Sequence, residues 1–361
     1  MSVVDRIDRF QRRHPFVGFP IAVTYKFFDD SSNYLAAAVT YYAFVAIFPM
    51  LLIGSSILGF FLQNDEELRE QLLDTAIGSF PIISDQITST EGLEGSTGAV
   101  VFGALVAIYG VLGLGQSSQY AMNVAWAVPR NSRPNPFLGR GRSLVMLGFA
   151  GFALLAIAAL TGFLSTNPWF SDEHRWAGLA ARFGAFVLSG IAFTVLFLLA
   201  SARKHSFRAA APGAFAVAVL WQILQFVGTA YVQNVIARSS NLNQLFAIVL
   251  GMLGLIYIGA VMAMIGVQIN VVRAKRLYPR ALLTPFTDNV QLTKADQRAY
   301  SDYAKAQRHK GFESIRVMFG RPEPRPRPRV DVAPPIDHDA VVRSPQTDSD
   351  SPGEHVERHQ S

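Results

Sequence analysis

The sequence contains no cysteine, and charged residues make up only 16% of its 361 residues. The absence of cysteine excludes disulfides, thiolate metal sites and a cysteine nucleophile. Hydrophobic residues account for 50% of the chain and the mean hydropathy is +0.26, which is outside the usual balance of a soluble domain. The composition therefore predicts a membrane protein.

Residue patterns that would mark an active site are also missing. The seven histidines are scattered, with no HxxxH or HExxH spacing, and the acidic residues lack the alternating Asp/Asn and Gly pattern of calcium loops. The formal net charge is +6, but Lys and Arg fall between apolar runs, whereas nucleic-acid binding needs them on one folded face. We therefore expect no enzyme activity, no metal, no cofactor and no nucleic-acid partner.

Six apolar stretches are long enough to cross a bilayer as helices, which requires about 20 mostly apolar residues each. None of the six contains Asp, Glu, Lys, Arg or His. They predict an all-α, polytopic protein with six transmembrane helices. The stretches are approximately Ala36–Leu62, Gly98–Val124, Ser143–Ser165, Phe183–Ala200, Ala209–Val235 and Leu245–Asn270.

The charges of the connections predict the orientation of these helices. Residues 129–142, 201–208 and 271–280 contain Lys and Arg but no acid, whereas residues 63–97 contain eight acids and the single base Arg69. Because short basic loops are retained in the cytoplasm, the first loop faces outward and both termini are cytoplasmic. The arginines of residues 129–142 have two readings: they attract anionic lipid headgroups, or they only set topology.

Three regions follow from this pattern. Residues 1–33 mix aromatic residues with arginines and predict a cytoplasmic amphipathic segment at the membrane interface, with a partly ordered soluble arm as the alternative. Residues 34–283 form the transmembrane domain, whose first outer loop carries apolar residues at helical spacing and predicts a short amphipathic helix. Residues 284–361 lose the apolar signal and are expected to be a disordered cytoplasmic tail.

Uncharged polar residues inside the apolar stretches are the candidate site. Such groups are costly when they face lipid, so they should point into the bundle, where they line a cavity or only join helices by hydrogen bonds. Pro49 would kink the first helix. The candidate cavity-lining residues are Thr40, Tyr41, Tyr42, Pro49, Gln116, Gln119, Tyr120, Asn123, Gln222, Gln225, Thr229, Gln268 and Asn270. The faces of the second and fifth helices are expected to meet across a central cavity.

The first apolar stretch reads Ala36-Ala-Ala-Val-Thr-Tyr-Tyr-Ala-Phe-Val-Ala-Ile-Phe-Pro49, with paired tyrosines and a Phe-Pro step. Further along, the chain has Leu220-Trp221 with Tyr231, Leu255-Ile-Tyr257 and Gly266-Val-Gln-Ile-Asn270. Together these motifs, between Tyr34 and Arg276, resemble the YihY/virulence factor BrkB family of bacterial inner-membrane proteins. The resemblance implies a multi-pass protein of the bacterial inner membrane.

Two positions depart from that family's pattern. Gln268 stands where an acidic residue is common, and Gln225 stands where a basic residue is frequent. The resemblance also carries the old name ribonuclease BN, against which the lack of a gathered hydrolytic site argues. We expect a transporter or lipid-handling protein, with membrane lipids as partners and a homo-oligomer as a further possibility. The alternatives are a non-transporting scaffold and, last, a membrane-bound ribonuclease.

Overall fold

The computed structural model describes residues 3–61, 97–166, 175–231, 233–234, 241–282, 284 and 290–320. Within these ranges all regular secondary structure is helical, which confirms the predicted all-α class. The helices are α1 Val3–Arg13, α2 Pro15–Asp29, α3 Ser32–Phe61, α4 Thr97–Ala125, α5 Pro136–Thr166, α6 Arg175–Ala200, α7 Phe207–Tyr231, α8 Asn241–Lys275 and α9 Lys294–Ala306. A short 3-10 turn, Arg130–Ser132, lies between α4 and α5.

Four of the helices are long and apolar enough to cross a membrane: the relevant segments are Pro136–Phe163, Gly178–Ala200, Phe207–Tyr231 and Phe246–Lys275. A shorter apolar helical segment, Ser32–Ile47, lies in α3. These segments support a multi-pass protein, while the count of six and the orientation of the termini stay predictions. The predicted helix of the first outer loop lies outside the described residues.

Close approach between the long helices depends on glycine. At the α7–α8 crossing, a Cβ on Gly213 would lie 1.9 Å from the Gly266 carbonyl oxygen. At the α3–α4 crossing, a Cβ on Gly113 would lie 2.1 Å from the Tyr42 ring. Small residues at such crossings let two backbones pack against each other, which is how membrane helices associate in the absence of a strong hydrophobic force.

The N-terminal segment is helical and belongs to the folded unit. α2 packs against α8, and Ala22 and Val23 of α2 are buried in the same apolar core as Val267 and Val271 of α8. α1 exposes Ile7 and Phe10, whereas its Gln11 is fully buried. The predicted amphipathic segment therefore uses one face to pack on the spans.

The prediction of a disordered tail from residue 284 is wrong for its first part. Helix α9 begins with a capping box in which the Thr293 side chain accepts from the Asp296 backbone amide and the Asp296 carboxylate accepts from the Thr293 amide. Ala295 and Ala299 are buried. Charged contacts and two buried alanines hold the segment in place, so it folds without an apolar run that the sequence could reveal. Residues 321–361 lie outside the described part of the chain.

Candidate functional site

A cavity of about 680 Å³ opens between α3, α4 and the start of α5. Its volume lies within the usual range of small-molecule sites, about 300–1,000 Å³. It is lined by Tyr42, Tyr109, Leu112, Gly113, Gln116, Ser117, Gln119, Tyr120, Asn123, Arg133, Pro134, Asn135, Pro136, Gly139 and Arg140.

Contacts between α4 and α5 shape one wall of the cavity. The Gln119 side-chain amide donates to the Gly139 carbonyl at 3.0 Å and to the Ser143 hydroxyl at 2.9 Å. A Cβ on Gly115 would lie 2.3 Å from that of Ser143, so the two helices approach closely here. These hydrogen bonds hold the wall together. Gln116, one turn away on α4, takes no part in them and is exposed.

One end of the cavity is aromatic and apolar. Tyr42 packs on Tyr109 with ring centroids 5.7 Å apart and on Tyr41 at 5.1 Å. Leu112 and Gly113 complete this end. Aromatic rings provide large apolar surfaces with a polar tip, so this end suits an apolar group.

The other end is positively charged. The Arg133 guanidinium lies 5.3 Å from the centroid of the Tyr120 ring, and the Arg140 guanidinium lies 5.9 Å from that of Phe137. Arginine often stacks on aromatic faces in this way. Among the described residues that line the cavity there is no carboxylate, so the two arginines make this end positive.

The structure brings together five of the thirteen residues that sequence reasoning selected: Tyr42, Gln116, Gln119, Tyr120 and Asn123. Asn123 has a further structural role, since its Oδ1 accepts a hydrogen bond from the Ala202 amide at 3.0 Å.

The α3 candidates outside the cavity have local roles. The Thr40 hydroxyl donates to the Ala36 carbonyl of its own helix at 2.8 Å. Tyr41 is 54% exposed. Pro49 lies inside the helix.

The three α7 candidates do not line this cavity. Gln222 and Thr229 are exposed and Gln225 is half-buried. The Thr229 hydroxyl donates to the Gln225 carbonyl one turn earlier, at 3.0 Å. The predicted role of this face in a path through the membrane stays a prediction.

Asn270 joins α7 to α8 by two hydrogen bonds. Its Oδ1 accepts from the Gly213 amide at 2.7 Å, and its Nδ2 donates to the Ala210 carbonyl at 2.7 Å. These bonds bracket Pro212, a residue that lacks an amide hydrogen and interrupts the α7 ladder. Asn270 therefore holds the two helices together at a locally irregular turn.

Gln268 belongs to a buried polar cluster that sequence reasoning missed. Its Nε2 donates to Asp30 at 2.8 Å and to the Ser32 hydroxyl at 3.0 Å, while Lys26 forms an ion pair with the same Asp30 carboxylate. Burial raises the pKa of Asp30 and lowers the pKa of Lys26, and the attraction between the two opposes both shifts. Through Gln268, the pair anchors α2 to the C-terminal part of α8.

A second cluster surrounds Arg280, whose side chain is fully buried. It forms ion pairs with Asp296 of α9 and with Asp29 of α2, the latter at 3.0 Å. Burial alone would lower the pKa of Arg280, but the two carboxylates outweigh it and raise the pKa. Gln11 of α1 also donates to the Arg280 carbonyl. Four segments therefore meet at one residue.

These clusters left little signal in the sequence. Lys26, Asp29, Asp30, Arg280 and Asp296 all lie outside the apolar stretches, where charged residues are ordinarily solvated. The adjacent acids Asp29 and Asp30 between an aromatic-rich segment and the first span were the available hint.

Comparisons with known proteins identify the family of this chain. The family model of "Virulence factor BrkB" matches residues 23–289. The chain belongs to the virulence factor BrkB family. No solved structure matches the chain.

Relatives of this BrkB-family protein are described as membrane proteins. A UPF0761 membrane protein of Alkalilimnicola ehrlichii is 25% identical over 70% of this chain and 57% of its own length. A UPF0761 membrane protein of Nitrosospira multiformis is 26% identical over 58% of this chain and 50% of its own length. The inner membrane protein YhjD of Escherichia coli is 23% identical over 68% of this chain and 78% of its own length. The chain thus spans only about half the length of the two UPF0761 relatives.

Proposed function

We propose that this BrkB-family protein handles membrane lipids through the α3–α4–α5 cavity, as a lipid transporter or scramblase. The observation that carries the proposal is the division of the cavity into an aromatic, apolar end at Tyr42 and Tyr109 and a polar end at Gln116, Tyr120 and Arg133. A lipid has the same division, because its tail needs apolar surface and its headgroup needs hydrogen bonds and charge.

A purely polar solute fits this arrangement less well, because Tyr42, Tyr109 and Leu112 would offer it few partners. Coupling to a proton gradient through a carboxylate inside a span has no candidate in the sequence, since the six apolar stretches contain no Asp, Glu, Lys, Arg or His. Downhill lipid movement is therefore the form of the activity that we propose. A scaffold that moves nothing is the second candidate, because the basic residues near the C terminus suit protein or membrane contacts.

The proposal includes six spans with both termini in the cytoplasm, a bacterial inner-membrane location and a cavity whose charged end faces the cytoplasm. Because the chain has no cysteine, Glu91→Cys and Arg133→Cys each introduce a single thiol. An impermeant thiol reagent added to intact spheroplasts should label Glu91→Cys and leave Arg133→Cys unlabelled until the membrane is opened. Labelling of Arg133→Cys from outside would show that the orientation is the opposite of the one proposed.

Lipid movement can be measured by reconstituting the purified protein in vesicles with a fluorescent phospholipid and following its bleaching by an impermeant reductant. The wild type should expose inner-leaflet lipid to the reductant, and Gln116→Trp should slow this by about tenfold, since a barrier increase of about 1.4 kcal/mol gives that factor. The indole would fill space in front of an exposed cavity residue.

Gln222→Trp is the matched control, because Gln222 is also an exposed glutamine in a long helix but lies outside the cavity. It should leave the rate unchanged. Wild-type vesicles that bleach no faster than protein-free vesicles would exclude the lipid-moving function and favour the scaffold. If Gln222→Trp slows the bleaching and Gln116→Trp does not, the lipid path lies along α7 and not in the cavity.

A further inference from the structure

We propose that the charged end of the cavity is a binding site for a phosphate-type anion, held by Arg133, Arg140 and the N-terminus of α5, and that the anion is the headgroup of an acidic phospholipid. The lipid part of this proposal rests on the proposed function. The anion part rests only on the contacts described below.

The first support is two arginines with unused hydrogen-bonding capacity. Among the described residues, Arg133 uses its Nε alone for a hydrogen bond, to the Val128 carbonyl at 3.3 Å, and Arg140 makes a stacking contact with Phe137 but no hydrogen bond. Within the described residues neither has an acidic partner. Their neighbour Arg142, by contrast, donates to the Ser201 carbonyl at 2.6 Å and is committed to joining α5 to the end of α6.

The second support is the start of α5, which faces the same space. Asn135, Pro136 and Gly139 line the cavity, so the positive end of a helix of 31 residues adds to the two guanidinium charges. The Asn135 side chain caps one first-turn amide, that of Leu138, at 2.8 Å. A Cβ on Gly139 would meet nothing within 4 Å, which leaves the space in front of this turn open.

The chemistry of these groups favours a phosphate. Guanidinium groups donate two parallel hydrogen bonds to phosphate or carboxylate oxygens, and the backbone amides at a helix N-terminus also donate hydrogen bonds to such anions. Two guanidinium groups together favour a group with several oxygens and a full negative charge. Free inorganic phosphate and a phospholipid headgroup share this chemistry.

The shape of the cavity distinguishes between these two sources. Beyond the charged end the walls continue to Leu112, Tyr42 and Tyr109, which would leave apolar surface empty around a free phosphate ion. A phospholipid fills both ends with one molecule. A purely topological role for the arginines accounts for the acid-free loop but not for the placement of two of them around one cavity.

The test measures binding by calorimetry on the full-length protein in neutral detergent. Three soluble probes are titrated separately: dihexanoyl phosphatidylglycerol, dihexanoyl phosphatidylcholine and inorganic phosphate. The wild type should bind phosphatidylglycerol more tightly than either of the other two. The double variant Arg133→Gln/Arg140→Gln should weaken that binding by about tenfold or more, given the usual strength of charge-assisted hydrogen bonds.

Two further double variants sharpen the result. Arg130→Gln/Arg203→Gln removes the same charge from exposed positions outside the cavity and should bind phosphatidylglycerol like the wild type. Arg133→Lys/Arg140→Lys keeps the charge but not the planar fork and should fall between wild type and the glutamine pair. Equal thermal unfolding midpoints show that all variants are folded.

Each outcome has a defined meaning. Equal weakening by the two glutamine pairs would overturn the anion site, because the effect would follow net charge alone. Phosphate bound as tightly as phosphatidylglycerol would keep the anion site and overturn the lipid assignment. Phosphatidylglycerol binding without lipid movement in vesicles would keep the anion site and overturn the proposed function. Lipid movement without a preference for phosphatidylglycerol would keep the proposed function and overturn the anion site.

Discussion

Replacing Arg280 with methionine will lower the free energy of unfolding by about 3–5 kcal/mol, the usual cost of breaking a buried ion pair by removing one partner. The substitution leaves Asp296, which is fully buried, and Asp29 without their cation. Methionine keeps much of the side-chain volume, so the loss reports charge and hydrogen bonding rather than a cavity. The measurement is thermal unfolding of the purified protein in detergent, with helix content followed by circular dichroism.

Arg273→Met is the matched control, because Arg273 lies near the end of α8 and is exposed. Loss of an exposed charge changes stability by about 1 kcal/mol or less. If Arg280→Met unfolds at the same temperature as Arg273→Met, the four segments that meet at Arg280 are held by other contacts.

Gly213→Ala is expected to have the second-largest effect. A methyl group at this position would lie 1.9 Å from the Gly266 carbonyl oxygen and 2.8 Å from the Asn270 side chain. Both obstacles belong to α8, and a backbone carbonyl cannot rotate away, so the helices must separate and the Gly213–Asn270 hydrogen bond must lengthen. Overpacking of this kind costs about 1–3 kcal/mol, and the strained hydrogen bond adds about 1 kcal/mol.

Gly254→Ala on α8 provides the comparison. A Cβ there meets nothing within 4 Å, so the substitution should be neutral or should stabilise the helix by up to about 1 kcal/mol through its better helix propensity. Unfolding temperatures are again the measurement. Equal behaviour of the two alanine variants would mean that α7 and α8 do not cross at Gly213.

The sequence predicted the all-helical class because long apolar runs report directly on the medium that surrounds them. Of the polar residues expected to point inward, Gln119, Asn123, Gln268 and Asn270 are buried, whereas Gln116, Gln222 and Thr229 are exposed. The reasoning was the cost of turning an amide toward lipid, a property of the residue and its depth alone.

The partners of those residues could not be predicted in the same way. Gln268 bonds to Asp30, which is distant in sequence, and Gln119 bonds to the start of the next span. The sequence could not decide between the two readings of Arg133 and Arg140, because a loop arginine has the same local pattern whether or not a cavity lies beside it. Helix α9 was missed because ion pairs and a cap, which have no periodic signature, hold it in place.

The ion pairs around Arg280 have a consequence for how the chain is made. Asp29 leaves the ribosome early, but Arg280 and Asp296 are translated only after all of the apolar stretches. Asp29 therefore stays without its Arg280 partner until the segment behind the last apolar stretch has been made. The Arg280 ion pairs therefore form late in synthesis, and a ribosome stalled before residue 280 would carry inserted helices that lack these pairs.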